Sequence, residues 1–588
     1  MGARSRHAHS LQPAPRRDNL VRVISNQPDT KGPLVAEGED TLNAPRTTSG
    51  IQIPARVEWL ILAAIVAVGA WLRFQHLELL EFKGDEAFAA NRALEFVRGG
   101  KLPTSGLMSS VGVPNPPLFC WMLIPMFFIT SSIAGVCGMI AGLGLAAVVA
   151  TWWIGRKYYS PLAGLVAAAL FATAPWAVIY SRKIWAQDFV PVFATATMWA
   201  AHALVLGKKP KAVFWMICLP LCVIQIHYSG FALTATSVAI LVLLRPKIDW
   251  RWAVAGVAVA VVLALPYVME QQQKGWAEWK RMSEESSGRH WEQLPPGMTI
   301  SPQSGYPFPR RPTEAWRHAL AIMNAGEIED VLGLSTSEGF DPGKIWSGKG
   351  GGQNRYFDTS LTLGDWLPSL QQLAFCIALA WFGVIVAKSM KAVFRREVTT
   401  DEESKRAWIL VLWFVVPLAV YLVAGLWTYL SYYLILYPVY FLVFGALGQR
   451  AVPATILIAV VTVFAVGNVV FMLDVNRYLS RYGGAQGTYG SGLGFKQAAA
   501  EFVAARAAAG KLVRENRLLQ MDHWQRAEPA QLDLPFMAML HGHGDQLATN
   551  SVVVVVDDNR TTFDTSRVNF GGVTTNFGPM RVCIINRP

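Results

Sequence analysis

The chain has 588 residues, of which 53% are apolar and only 16% charged, against roughly 45–50% and about 25% in ordinary soluble domains. With 22 Trp, 29 Phe and a mean hydropathy of +0.31, it carries more apolar surface than an aqueous core holds, which disfavours a purely soluble protein and points to a polytopic membrane protein. The six cysteines form neither a disulfide framework nor a CxxC metal-ligand spacing. The formal charge of +12 falls mostly in short basic segments between apolar runs, so it reads as membrane topology and no nucleic-acid partner is expected.

Residues 1–56 are rich in Pro, Ser, Arg and Thr and lack a helical apolar period. They predict a disordered cytoplasmic tail, too long before the first apolar run to be the charged start of a cleaved signal peptide. The first spanning run is Val57 to Leu72, and further runs centre on 133–154, 161–180, 189–206, 212–227, 230–244, 252–268, 369–387, 407–426, 429–447 and 452–473. Each is near the ~20 residues a bilayer helix needs. With the first they make eleven.

Pro116 to Thr130 is apolar but only 15 residues long and contains Pro125. Topology arbitrates its role. If it does not span and the N-terminus is inside, Gly155-Arg156-Lys157, 207–211, Arg245-Pro246-Lys247, 388–406 and Gln449-Arg450 all fall on the cytoplasmic side; if it spans, all are exported. The positive-inside rule therefore predicts a juxtamembrane helix at the outer interface. It also puts the loops 73–132 and 269–368 and everything after Asp474 outside, so the chain divides into a tail (1–56), a membrane domain (57–473) and an extracytoplasmic segment (474–588). Reporter fusions after Lys209 and after Gly494 are expected to report cytoplasmic and extracytoplasmic positions, respectively. A cytoplasmic signal from the second would mean that Pro116 to Thr130 crosses or that another run does not.

The long external loop predicts an amphipathic helix at Glu270 to Glu285, a Pro-rich stretch, and a second helix at Pro312 to Leu332; loops of this length are usually functional. The C-terminal segment passes from Gly-rich (Arg481 to Gly494) to an Ala-rich helix (Phe495 to Ala508) and the β-branched run Val552 to Val556, which suggests a small α/β domain. No internal repeat of the kind found in inverted-repeat transporters is present.

The chemistry concentrates between Glu81 and Pro117. Asp85 and Glu86 open an amphipathic helix just outside the first span, with Phe88, Leu94 and Phe96 on its other face and Arg92 two turns along. An acidic first turn also serves to compensate a helix dipole, with no catalytic role. Taken in order, Gly84-Asp85-Glu86-Ala87, Arg92, Asn115-Pro116-Pro117-Leu118 with Trp121, Tyr180-Ser181-Arg182-Lys183-Ile184-Trp185 and Ile226-His227-Tyr228-Ser229 resemble the GT-C glycosyltransferases, specifically family 39 with the protein mannosyltransferases and the aminoarabinose transferase. The resemblance covers most of residues 57–450.

The resemblance implies an all-α polytopic membrane fold of GT-C type, with about 11 transmembrane helices and external juxtamembrane helices, beside the small C-terminal α/β domain. It further implies an inverting transferase in the plasma (inner) membrane. Such an enzyme moves a sugar from a polyprenyl-phosphate donor to a hydroxyl of a lipid, glycan or protein acceptor, without metal or other cofactor. Asp85 is then the expected catalytic carboxylate with Glu86 in support. Arg92, Arg182 and Lys183 are expected at the donor phosphate, and His227, Tyr228 and Asp188 in substrate binding. Two positions depart from the family pattern: Asn115 stands where some relatives carry Lys or His, and Asp188 comes one residue late, with Gln187 in the usual place of the acid.

Other signals are weaker. Trp276, Trp279, Trp291, Trp316 and Trp346 suit sugar stacking or an interfacial belt. His541-Gly542-His543-Gly544-Asp545 reads as a surface turn rather than a metal site, and Gly348 to Gly352 lacks the ending of a phosphate-binding loop. The competing functions are a transporter or flippase of a lipid-linked glycan, which is expected to place ionisable residues near mid-membrane, and a non-catalytic membrane subunit, which would tolerate substitution of Asp85.

Overall fold

The computed structural model describes residues 53–82, 84–109, 113–286, 312–326, 361–395, 401–424, 428–448, 452–482 and 492–508, and five strands within 513–586. Residues 1–52 of the tail expected at 1–56, residues 294–311 of the Pro-rich stretch, Trp291, Trp346, Gly348 to Gly352 and the 541–545 motif lie outside the described residues; Ala55 and Arg56, expected in the tail, already belong to the first helix. In chain order the helices are α1 (Ala55–Phe74), α2 (Gly84–Val97), α3 (Leu118–Ile129), α4 (Ile133–Tyr158), α5 (Pro161–Thr173), α6 (Pro175–Ile179), α7 (Val190–Val205), α8 (Val213–Ile226), α9 (Gly230–Leu244), α10 (Trp250–Gln273), α11 (Ala277–Ser286), α12 (Pro312–Ala321), α13 (Leu361–Phe394), α14 (Glu402–Ala424), α15 (Tyr437–Leu447), α16 (Ala454–Tyr482) and α17 (Leu493–Ala508).

Among the described residues eight helices are long and apolar enough to cross a membrane: Ala55–Phe74, Ile133–Tyr158, Ala186–Val205, Trp250–Gln273, Trp366–Phe394, Glu402–Val423, Leu430–Leu447 and Ala454–Arg477. Each takes one of the eleven apolar runs; the other three fall in the shorter apolar helices Pro161–Thr173, Pro210–Ile226 and Gly230–Leu244. The outer faces leave Val254, Val261 and Val262 of α10, Leu373, Ile377 and Val384 of α13, and Val463 and Val466 of α16 exposed. Apolar stripes of this extent need lipid against them. The chain is a multi-pass membrane protein.

Inside the bundle, small residues let backbones approach. A Cβ at Gly164 of α5 would lie 2.5 Å from Trp152 O of α4, and one at Gly445 of α15 would strike the Ala163 carbonyl. Where lipid is as apolar as the helix faces, such close packing supplies the association energy that the hydrophobic effect supplies in water.

α3 is 12 residues long, about 18 Å at 1.5 Å per residue, too short for a hydrocarbon layer of ~30 Å. It buries Phe119, Leu123 and Phe127 in one cluster with Ala87, Ala90 and Ala93 of α2. The basic segments collect at one end of the bundle. Arg156 Nε meets Glu58 Oε1 at 2.8 Å, the Arg406 guanidinium lies 5.9 Å from the Tyr159 ring, Tyr159 Oη is 3.0 Å from His202 Nε2 near the end of α7, and Lys211 Nζ lies 5.8 Å from the Trp252 ring. Leu72, 14 residues beyond Glu58 in α1, marks the other end, about 21 Å away.

Both helices expected in the long loop differ from the sequence reading. Glu270 belongs to the last turns of α10, which stops at Gln273; Gly275 and Trp276 then turn left-handed (φ 63° and 59°), and α11 starts at Ala277. α12 ends at Ala321 rather than continuing to Leu332, and it is packed into the bundle, burying Ala315, Ala319 and Leu320. Tyr440 Oη donates to Ala319 O, Trp176 Nε1 to Gly326 O at 2.7 Å, and Asn324 Nδ2 to Pro368 O at 2.8 Å. Trp316 lies edge-on to Phe414 at 5.8 Å.

Beyond α16, α17 packs on the 3₁₀ turn Leu77–Leu79 and on a small mixed sheet. In that sheet β3 (Ala548–Val556) pairs in parallel with β1 (Val513–Arg514) and β2 (Leu519–Gln520), and antiparallel with β5 (Met580–Asn586), whose other neighbour is the antiparallel β4 (Val573–Phe577). The Val552 to Val556 run thus lies in a strand paired on both sides, where β-branched residues fit best.

Candidate active site

The end of α1 opposite the basic segments is the starting point. A helix C-terminus leaves carbonyls unpaired and carries partial negative charge. Arg182 meets that need: Nη1 donates to Leu72 O at 3.1 Å, and Nη2 to Gln75 O at 2.6 Å and His76 O at 2.9 Å. One turn deeper, fully buried Arg73 does the same for the break between α5 and α6. Pro175 has no N–H for Phe171 O, and Arg73 Nη2 supplies one at 3.2 Å, while Nη1 donates to Ala172 O at 2.7 Å.

Lys183 is buried beside these groups. Its ammonium lies 2.6 Å from Glu81 Oε2, 3.9 Å from Glu86 Oε1 and 4.0 Å from the Trp185 ring centre, and its backbone N–H donates to Asp188 Oδ2 at 3.1 Å. Burial pushes the lysine toward its neutral form, but the charges of Glu81, Glu86 and Asp188 outweigh burial and hold it protonated, above the usual lysine range. Arg182 and Lys183 were expected at the donor phosphate. Their described contacts go to helix carbonyls and carboxylates, because a cation withdrawn from water takes the nearest oxygen partners.

α2 stands over this cluster. Glu86 is 2% exposed and faces inward, whereas Asp85 and Arg92 are exposed. Seven residues apart, they share one face of the helix. The buried face of α2 is formed by Ala87, Ala89, Ala90, Ala93 and Leu94, with Phe88 and Phe96 only half-buried, so small residues rather than the aromatic pair seat the helix. The Arg92 guanidinium lies 5.2 Å from the Phe88 ring centre.

The Asn-Pro-Pro-Leu segment is held by a short hairpin: Gly106 N donates to Asn115 O and Asn115 N to Leu107 O, each at 2.7 Å, and Asn115 Nδ2 reaches Leu107 O at 3.2 Å. Tyr267 Oη (2.8 Å) and Tyr228 Oη (3.5 Å) both donate to Pro114 O. His227 sits between α8 and α9 with its ring 4.7 Å from that of Tyr432. Ser229 N donates to His227 Nδ1 at 3.1 Å, which puts the imidazole proton on Nε2.

Of the expected site residues, Glu86, Lys183 and Asp188 converge, with Arg182 alongside; Asp85 and Arg92 share the exposed face of α2; Tyr228 supports the proline turn and His227 its own helix junction. Glu81 and Arg73 were missed. Glu81 shares the segment that carries Asp85, but only the fold folds it back onto Lys183; Arg73 reads in sequence as an ordinary boundary residue. Among the described residues no group of three or more His, Cys, Asp or Glu side chains is arranged to hold a metal ion.

The helix-capping role of Arg182 has a measurable consequence. Arg182→Gln is expected to lower stability by about 2–4 kcal/mol, the scale for removing a charged donor from buried acceptors, read by denaturant unfolding of the purified protein. A change below about 0.5 kcal/mol would mean that the α1 carbonyls find other donors.

No family model matches the sequence, and no curated protein matches it. Among solved structures the chain is similar to ArnT from Cupriavidus metallidurans bound to undecaprenyl phosphate, at 13% identity and a TM-score of 0.43, over 91% of this chain and 100% of that one. It is also similar to the oligosaccharyltransferase AglB from Archaeoglobus fulgidus in complex with an inhibitory peptide and a dolichol-phosphate, at 11% identity and a TM-score of 0.37, over 84% of this chain and 69% of that one. At these values the similarity carries no functional assignment, which rests on the residues themselves.

Proposed function

We propose that the protein is an inverting glycosyltransferase that moves a sugar from a polyprenyl-phosphate donor to an acceptor hydroxyl at the extracytoplasmic face of the plasma membrane. The observation that carries this reading is an exposed carboxylate, Asp85, mounted on a helix whose start is fixed by a buried Glu81–Lys183–Glu86 cluster at the bundle end opposite the basic segments. The positive-inside rule makes that end the outer one, and puts the small C-terminal α/β unit outside with it.

The chemistry suits these groups. The acceptor oxygen attacks the sugar C1 in line and Asp85 takes its proton; the C1–O bond to phosphate breaks and the lipid phosphate leaves with the bonding pair. That leaving group is weakly basic and needs no general acid. Arg92, the exposed cation of α2, is the proposed phosphate contact. Arg182 and Lys183 stand behind it, fixing the end of α1 and the start of α2, while His227 through its Nε2–H, Tyr228 and Asp188 complete the substrate-binding set. No metal or cofactor enters this reading; the acceptor is a lipid, a glycan or a protein.

A transporter is disfavoured by where charge is buried. Among the described membrane helices and their junctions, the buried Asp, Glu, Lys and Arg side chains are Glu58, Arg73, Glu86, Arg182, Lys183 and Asp188, with Glu81 in the adjoining segment; none belongs to the middle of a spanning helix, where a translocation path needs them. The test is a mass-spectrometric comparison of membrane glycolipids and cell-surface glycans with and without the gene. The expected result is an accumulated prenyl-phosphate sugar together with one sugar missing from a glycan. Unchanged glycolipids and glycans would remove the transferase reading.

A further inference from the structure

The segment that precedes α2 is held from far along the chain. Residues 80–82 connect the 3₁₀ turn Leu77–Leu79 to α2 without regular structure of their own, so their backbone groups need partners from elsewhere. Those partners come from the start of α17. Glu81 and Gly492 form an antiparallel bridge, Leu493 N donates to Leu80 O at 2.6 Å, and the Lys496 ammonium donates to Phe82 O. Lys496 is 3% exposed, an uncommon position for a lysine, which is rarely fully buried without a compensating partner. The glycines permit the approach: a Cβ at Gly494 would lie 3.1 Å from Glu78 Cβ.

We propose that Lys496 is a positioning residue for Asp85. It fixes the Phe82 carbonyl, and with Leu493 it fixes the strand on which Glu81 is carried; Glu81 binds Lys183, Lys183 faces Glu86, and Glu86 is the residue after Asp85. The C-terminal segment therefore completes the active site of the membrane domain by setting where the α2 carboxylate stands, without touching substrate. This rests on the reading of Asp85 as the base.

The test uses the full-length purified protein and, as donor probe, the polar-lipid extract of cells lacking the gene. Lys496→Met is expected to lower kcat about 10- to 100-fold, the scale of a small misplacement of a catalytic group, with the donor KM unchanged within about 2-fold and with Lys496→Arg restoring most of the rate. Leu493→Pro removes the neighbouring N–H at a helix position where proline is tolerated, and is expected to give the same split should Lys496→Met fail to fold. The decisive readout is additivity. In an Asp85→Asn background Lys496→Met is expected to cost nothing further, because its effect runs through the missing carboxylate. A multiplied loss there, or wild-type kcat in Lys496→Met, overturns the positioning role and leaves the transferase reading standing. Full turnover in Asp85→Asn itself overturns both the positioning role and the assignment of Asp85 as the base.

Discussion

Asp85→Asn is expected to lower turnover by two or more orders of magnitude while leaving expression and donor binding close to wild type. The physical basis is that a hydroxyl attacking C1 must lose its proton as the bond forms, and a positioned base is worth typically 10²–10⁴-fold. Asn keeps the size and most of the hydrogen bonding of Asp but cannot accept that proton. A role in compensating the α2 dipole predicts something else: the charge is then worth about 0.3–1 kcal/mol of stability, Asn is itself well tolerated at helix starts, and turnover would hardly change. Asp85 is exposed where Glu86 is buried, so an acceptor can approach the first carboxylate and not the second, which is why the first outcome is the expected one. Turnover near wild type in Asp85→Asn, with Asp188→Asn inactive, would move the base to the turn before α7.

Lys183→Met is expected to destabilise the protein by about 3–5 kcal/mol, the cost of stranding buried carboxylates without their counter-charge. Glu81 and Glu86 face this ammonium directly, and Asp188, bonded to the Lys183 backbone N–H, lies in its field. Glu81→Gln also destabilises, and the double variant Lys183→Met/Glu81→Gln loses less than the two single losses added together, because one change removes the partner the other leaves unpaired. Denaturant unfolding of the four proteins measures this. The same set decides between positioning and phosphate binding. If Lys183 were the phosphate contact, Glu81→Gln would release its ammonium toward the donor and lower the donor KM; the arrangement around Lys183 predicts instead that the KM stays level or rises as α2 loosens.

How much was legible from the sequence differs from one element to the next for physical reasons. The apolar runs were legible because a bilayer imposes length: about 20 residues must be apolar wherever a helix crosses, and eight of the eleven runs lie in helices that meet this by themselves. α3 was legible as a short helix from its length and Pro125, both local quantities. Asp85, Glu86 and Arg92 were visible because a 3.6-residue period assigns faces; the part played by the alanines, which are buried while Phe88 and Phe96 pack half-buried against the same cluster, was not. The loop helices were misread because one is interrupted at the left-handed pair Gly275 and Trp276 and the other ends in a turn over 322–326.

What the sequence by itself determined, then, is the membrane class, the positions of the apolar runs and the motif carrying Asp85. Tertiary structure alone decided what each charge faces. Arg182 and Lys183 are adjacent in the chain and equally cationic, yet one closes the end of α1 and the other neutralises Glu81 and Glu86; Lys496 lies 414 positions from the carbonyl it meets. Hydrophobic periodicity is a local signal, repeated every turn and readable without neighbours. The partner of a buried charge is a single long-range choice, made because an unpaired ion in a low-dielectric interior costs several kcal/mol, and no spacing along the chain records which carbonyl or carboxylate will be nearest once the helices have packed.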